Sequence, residues 1–181
     1  MFRLYNILPV NADDIYRELT SKRTRCTEEL AAEFGEDVIN SDFSLNRKKL
    51  SDIVFSDREK LNKLNKITHS HVLCEVRKII SQANFDGYLG VVVDAPLLYE
   101  SGFDTECDAV IAVIANEDIR IKRIVARDGI TVEMAKKRIY SQLSDRIIAS
   151  KADYIIDNTS NEADLLDEVE KIVNDIKNKL K

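Results

Sequence analysis

The sequence predicts an α/β fold, a parallel β-sheet flanked by helices in three layers. The runs Leu89–Ala95 (LGVVVDA) and Ala109–Ala115 (AVIAVIA) are continuously apolar and β-branched rather than alternating, so both faces of each strand must be covered. Strand-like runs also alternate with helical patterns along the chain, which is the order that parallel strands with helical crossovers require.

Taken in order, Ile7-Leu8-Pro9-Val10 reads as a short strand whose proline suits a strand beginning or an edge. Helical spacing of apolar residues follows over Glu28–Phe34, Arg47–Phe55 and Lys66–Ala83. No convincing strand lies between about Thr20 and Ala83, so residues 20–85 are expected to form a helical insert of the kind that shapes a substrate pocket. After the two buried strands come helices over Ile119–Arg127 and Val132–Leu143, a strand at Tyr154–Ile156 and a last helix over Ala163–Leu180. Asn116 and Asn161 precede helices whose first turns carry Glu117 and Asp118, or Glu162 and Asp164, so oxygen acceptors and negative charge meet the free amides there.

A chain of 181 residues, 44% hydrophobic, has room for one compact domain with a core. Five glycines, two prolines and no repeat or low-complexity stretch leave no obvious linker, so residues 1–181 read as a single domain. Thirty-two acids against 27 bases, a net charge of -5, argue against a general nucleic-acid binder, whose affinity would come from neutralising phosphates. Cys26, Cys74 and Cys107 are odd in number and far apart, which fits buried thiols in a reducing compartment better than a disulfide framework. No charged leader with an apolar stretch opens the chain, and no run approaches the roughly 18 apolar residues of a membrane span. A cytoplasmic protein is expected, and nothing in the sequence specifies an oligomeric state.

Charge is uneven. Glu117–Lys151 holds nine Lys or Arg against five Asp or Glu, whereas Asp153–Lys181 holds four bases against eight acids. A positive segment in an acidic chain suits an anionic ligand, although solvated helix faces would give the same count.

Three sets of residues can carry chemistry. Asp13 follows the first strand, where open α/β sheets gather ligands, and could accept a proton from a substrate hydroxyl; a helix cap is the alternative. Asp94 ends a buried strand, as does the acid that holds magnesium through water in phosphate-loop enzymes, or it simply pairs with a nearby amide. Arg120, Arg123 and Arg127 recur at spacings of three and four, so one helix presents guanidinium forks suited to phosphate oxygens or to surface acids such as Asp128. His69 and His71 are two apart, point in different directions on a helix and have no third ligand nearby in sequence, which argues against a metal site.

The order of several motifs resembles the dephospho-coenzyme A kinases over nearly the whole chain. Asn11-Ala12-Asp13 with Arg17 is similar to that family's Asp-Ala-Asp and following Arg, and Leu45-Asn46-Arg47, Leu50 and Val54-Phe55 to its Leu-x-Arg, Leu and Val-Phe pattern. Ile67-Thr68-His69 resembles its Thr-His-Pro helix start, and Asp94 to Glu100 its Pro-Leu-Leu-aromatic-Glu signature. Arg123 to Asp128, Arg138, Gln142 and Ala152 to Asn158 complete the series.

The resemblance implies transfer of the γ-phosphoryl group of ATP, with Mg2+, to the ribose 3′-hydroxyl of dephospho-CoA, the last step of coenzyme A synthesis. It implies Asp13 as base, Arg123 and Arg127 as neutralisers of phosphoryl charge, and Asp94 as a water-mediated metal contact. Substrate binding would fall to Arg17, His69, Pro96, Leu97, Glu100 and Arg138, with the loop at Asn158 against adenine. The helical insert would hold the CoA portion, and a lid would run over residues 124–150 and exclude water on closure.

Departures from the family pattern are Asn11 for the first Asp, Ser70 for the proline after His69, and Ile148 where lysine is common. The largest is that no Gly-x-x-x-x-Gly-Lys-Ser/Thr occurs in these 181 residues. That motif's amides, lysine and hydroxyl hold phosphates and magnesium. In the family a strand, this loop and most of a helix come before the point matched by Met1, so Met1–Tyr5 are expected to be that helix's last turns. A first, central strand is then expected to be missing and activity impaired. Two other readings follow: a non-catalytic CoA-binding or regulatory remnant, and a related nucleoside-phosphate kinase.

Overall fold

The computed structural model describes residues 1–55, 57–159 and 161–179. They form two compact units, Phe2–Thr105 and Glu106–Lys181, the latter with Met1.

The first unit opens on a single 3-10 turn, Phe2–Tyr5, where the end of an α-helix was expected. Asn6 ends it with φ 60°, and its amide donates to the Gly87 carbonyl at 3.0 Å. Short polar asparagine tolerates this left-handed backbone better than most residues. The chain's first strand, β1, follows at Ile7–Asn11 and pairs in parallel with β2, Gly90–Asp94. Their register sets Ile7 beside Gly90 and Asn11 beside Asp94. Helix α1, Ala12–Thr20, starts at once because the Asn11 side chain accepts the N–H of Asp14 at 3.1 Å, with Asp13 and Asp14 in its positive first turn.

The region between the two strands is helical, as its sequence predicted: α2, Arg25–Phe34; α3, Arg47–Val54; and α4, Arg58–Phe85. One isolated antiparallel bridge, Ile39 with Leu45, interrupts it. Cys26, Leu30, Val38, Leu50, Val54 and Ile67 are buried together between these helices. Helix α4 runs for 28 residues, about 42 Å, and begins eight residues before Lys66, its expected start. Asp57 explains the earlier start, since its Oδ1 accepts the N–H groups of Glu59 and Lys60 at 3.0 and 3.1 Å. Thr68 and His69 therefore lie mid-helix, not at a helix start. Serine at 70 permits this: proline there would remove an amide and clash with the preceding turn, whereas the Ser70 hydroxyl bonds back to the Ile67 carbonyl at 2.9 Å. A short helix α5, Leu98–Ser101, follows β2.

In the second unit β3, Ile111–Ile114, pairs in parallel with β4, Tyr154–Asp157. Helix α6, Glu117–Asp128, begins on an Asn116 cap that accepts the N–H of Asp118, as expected. Helix α7, Val132–Tyr140, stops short of the predicted Leu143, and a separate α8, Asp145–Lys151, starts on the Ser144 hydroxyl. Ser141 and Ser144 offer the backbone side-chain partners that compete with helix continuation. The last helix, α9, Glu162–Lys179, packs along β4, and its Val169, Ile172 and Val173 are buried, as is Ile156 of the strand.

Instead of one continuous sheet, the described residues thus form two parallel ladders, β1 with β2 and β3 with β4. No helix among the described residues is long and apolar enough to cross a membrane.

Candidate active site

Parallel pairing brings the C-terminal ends of β1 and β2 to one edge, where the chain turns into α1 and α5. Asn11, Asp13, Asp94, Pro96 and Leu97 are all placed there. Asn11 Nδ2 donates to Asp94 Oδ2 at 3.3 Å while its Oδ1 caps α1. The neutral amide is therefore both a cap and a partner for the neighbouring carboxylate. Asp13, exposed in the first turn of α1, has no hydrogen-bond or ion-pair partner among the described residues. Asn11, not Asp13, is the cap, which removes the alternative role the sequence left open for Asp13. Arg17 is exposed and bonds Asp14 at 3.0 Å. Pro96 and Leu97 form the exposed turn between β2 and α5.

His69 lies half-buried on α4. Burial lowers its pKa, and the carboxylate of Glu100, at α5, opposes that shift. The structure thus brings these two expected substrate contacts together. His71 faces elsewhere and bonds Glu29 of α2 through Nε2 at 2.7 Å.

The second unit builds an arginine-rich face from α6. Its three arginines take three different partners. Arg120 pairs with Asp145 of α8, Arg123 Nη1 donates to the Asn158 carbonyl at 2.8 Å, and Arg127 Nε bonds Asp128 at 2.7 Å. Asp128 also takes Arg138 of α7, so one carboxylate holds an expected neutraliser of phosphoryl charge and an expected substrate-binding guanidinium. Arg127 first, then Arg138, hold the Asp128 carboxyl below the usual carboxylate range. The loop bearing Asn158 is tied where it leaves β4: the Asn158 N–H reaches the Ile114 carbonyl at 2.7 Å, and Thr159 Oγ1 accepts the N–H of Asn116 at 3.1 Å.

The surface-acid alternative named for the arginines holds for Arg127, which Asp128 takes. Sequence reasoning missed Asn11 as an organiser, although its signal was present, an asparagine ahead of two acids.

A family model for dephospho-CoA kinase matches residues 1–164. The dephospho-CoA kinase of Fusobacterium nucleatum is 38% identical over 170 residues, which cover 94% of this chain and 83% of that one. That of Listeria monocytogenes is 38% identical over 152 residues, 82% of this chain and 74% of its own. Among solved structures, a dephospho-CoA kinase from Campylobacter jejuni aligns with TM-score 0.66 and 26% identity, over 99% of this chain and 91% of that chain. A Thermus thermophilus protein aligns with TM-score 0.80 at 24% identity, over 95% and 85%, a likeness of fold.

Proposed function

The chain belongs to the dephospho-CoA kinase family, a family of phosphotransferases that implies ATP and dephospho-CoA as substrates, and from that premise we propose a residue-level mechanism. Asp13 accepts the proton of the ribose 3′-hydroxyl as that oxygen attacks the γ-phosphorus of ATP. The bond from phosphorus to the bridging oxygen breaks and ADP leaves. Arg123 and Arg127 neutralise the equatorial oxygens in flight, and such electrostatic help is the main catalytic demand of phosphoryl transfer. Arg17, His69, Pro96, Leu97, Glu100 and Arg138 hold the acceptor, and Asn158 meets the adenine of ATP. The observation that carries the reading is Asp13 at the carboxyl end of β1 with its carboxylate unpartnered, ready for a hydroxyl.

Magnesium fits this edge in one way. Among the described residues no group of three or more His, Cys, Asp or Glu is placed to hold a metal, so an all-protein cage is absent. Asp94 alone suits an ion that keeps its waters and takes other ligands from substrate phosphates. When bound, the ion would neutralise charge on the β- and γ-phosphates. Cys26, Cys74 and Cys107, none of them in a disulfide, suit a reducing, cytoplasmic location.

These 181 residues contain no Gly-x-x-x-x-Gly-Lys-Ser/Thr, so by themselves they bind ATP weakly and turn over slowly while keeping the acceptor side. A non-catalytic CoA-binding role rests on the same observation. Product formation from ATP and dephospho-CoA at high enzyme concentration, with D13A alongside, tests both statements. Fast turnover would overturn the impairment, and turnover undiminished in D13A would remove Asp13 as base.

A further inference from the structure

Helix α6 passes into α7 through Gly129, whose φ of 64° closes the first helix, and Thr131, which caps the second. Buried Ile121, Ala135 and Ile139 join the two helices, and Tyr140 Oη donates to Glu117 at 2.7 Å at the end away from Gly129. Apolar packing and this polar bond hold the hairpin without Asp128. Asp128 is the last residue of α6, where the helix dipole disfavours a carboxylate. Its oxygens meet Arg127, through Nε at 2.7 Å and Nη2 at 3.1 Å, and Oδ2 also meets Nη1 of Arg138. The Asp128 side chain is 21% exposed, against 74% for Arg127 and 56% for Arg138, so the acid is covered while both guanidiniums stand in solvent. Nη1 of Arg127, and Nε and Nη2 of Arg138, take no partner among the described residues.

We propose that Asp128 is a positioning residue that ties Arg127 and Arg138 into one anion-binding pair, presenting their unused donors together to phosphate oxygens. Resting on the kinase reading above, the pair links the charge of the transferring phosphoryl group, which Arg127 meets, to the acceptor, which Arg138 holds. Two guanidiniums on one site repel each other, and the shared carboxylate offsets that repulsion while leaving a net positive charge for the ligand. It also removes side-chain freedom that a ligand would otherwise have to order on binding. An acid whose only task was to join α6 to α7 would need Arg138 alone. The paired bonds to Arg127, its own neighbour on α6, join no helices and serve to fix the direction of that fork.

Calorimetry on the 181-residue chain with inorganic triphosphate as probe tests this without requiring turnover. Wild type is expected to bind it. R127Q and R138Q should each weaken binding about tenfold, and the double variant should be little weaker than either single one, as for groups that act as a unit. D128N should also weaken binding about tenfold, and in that background the two arginine substitutions should add only small, independent losses. Y140F cuts the other polar bond of the hairpin and leaves both arginines untouched, so it should bind as wild type does. A general loosening of α6 and α7 is thereby separated from loss of the carboxylate. D128N that binds as tightly as wild type, or more tightly because Asp128 competes with the anion, overturns the proposal. Additive losses of the two arginines in wild type, equal losses in Y140F and D128N, or wild type that does not bind triphosphate overturn it as well. The expected pattern in a chain that neither binds nor phosphorylates dephospho-CoA upholds the pair and overturns the substrate reading. Dephospho-CoA binding together with triphosphate affinity unaltered in D128N overturns the pair alone.

Discussion

Arg123 donates from Nη1 to the main-chain oxygen of Asn158 across 2.8 Å, joining α6 to the loop that follows β4. The contact spends a donor of an expected phosphate-binding residue on holding an expected nucleotide-binding loop. No other contact takes the remaining donors of the guanidinium among the described residues, so the side chain can orient the loop and keep hydrogen-bonding capacity. R123A is expected to lose about 1 kcal/mol of stability, the usual worth of such a bond. For a chain of this length that lowers Tm by about 2–4 °C, with R123K recovering part of it because one ammonium donor can replace the single Nη1 bond. Thermal denaturation of both variants checks this, and an unchanged Tm in R123A would show the contact to be without weight.

Asp128 neutralises Arg127 and Arg138 at once, and its carboxyl titrates below the ordinary range because of them. A depressed folded-state value contributes stability above the unfolded pKa, near 4 for aspartate, and loses it as pH falls through the folded value. Wild type should therefore exceed D128N in stability at neutral pH, and the two should converge below about pH 4. Since these groups are solvent-facing, 1 M salt should also shrink the difference. Urea melts across pH and salt measure it; a gap that persists at the lowest pH would contradict the pairing.

N11D should keep the α1 cap, because aspartate caps as well as asparagine. It sets a second carboxylate 3.3 Å from Asp94 in place of the amide donor. Repulsion between them should lower stability in chelator and raise affinity for Mg2+ or Mn2+ at least tenfold, since two carboxylates hold a hard cation better than one. Metal titration followed by calorimetry distinguishes this from a simple loss of fold, in which no gain of affinity accompanies the lower stability.

Cys26 is fully buried, and burial, then the charge of Glu29, pushes its thiol up to about 11. Cys74 is exposed. Because the thiolate is the reactive form, iodoacetamide at pH 8 should label Cys74 in native protein and reach Cys26 only after denaturation. Peptide mass spectrometry gives the answer directly, and equal native labelling would show that the α2 core opens readily.

Much of this architecture was legible because burial writes itself into composition. Val91–Val93 and Ile111–Ile114 were expected to be strands covered on both faces; both are strands, but the cover is incomplete, with Val91–Val93 only partly buried and Val113 60% exposed. Asn116 revealed its helix by the acids behind it. What escaped were features that depend on single polar atoms. Asp57 set the start of α4 and Ser144 the start of α8, and neither alters hydrophobic spacing. At the site, motif order pointed to Asp13, Asp94 and Arg127; the bond from Asn11 to Asp94 joins residues 83 apart and closes only in three dimensions, whereas Asp128, next to Arg127, was already nameable as its partner from the sequence. Two ladders in place of one sheet were likewise beyond the strand pattern, which reports coverage of faces and not which edges meet.

Those two ladders differ in the length of chain each must gather. The pair Asn11 and Asp94 lies 83 residues apart, and the contact that precedes β3 and β4, Val110 with Asp153, only 43. Closing the longer loop costs about 0.6 kcal/mol more in chain entropy. During synthesis and refolding, β3 and β4 should therefore meet ahead of β1 and β2, and the helices α1 to α4 must gather before the longer closure is repaid. Pulse-labelled amide exchange would then find the amides of β4 protected earlier than those of β2, making the order of assembly run opposite to the order of the chain.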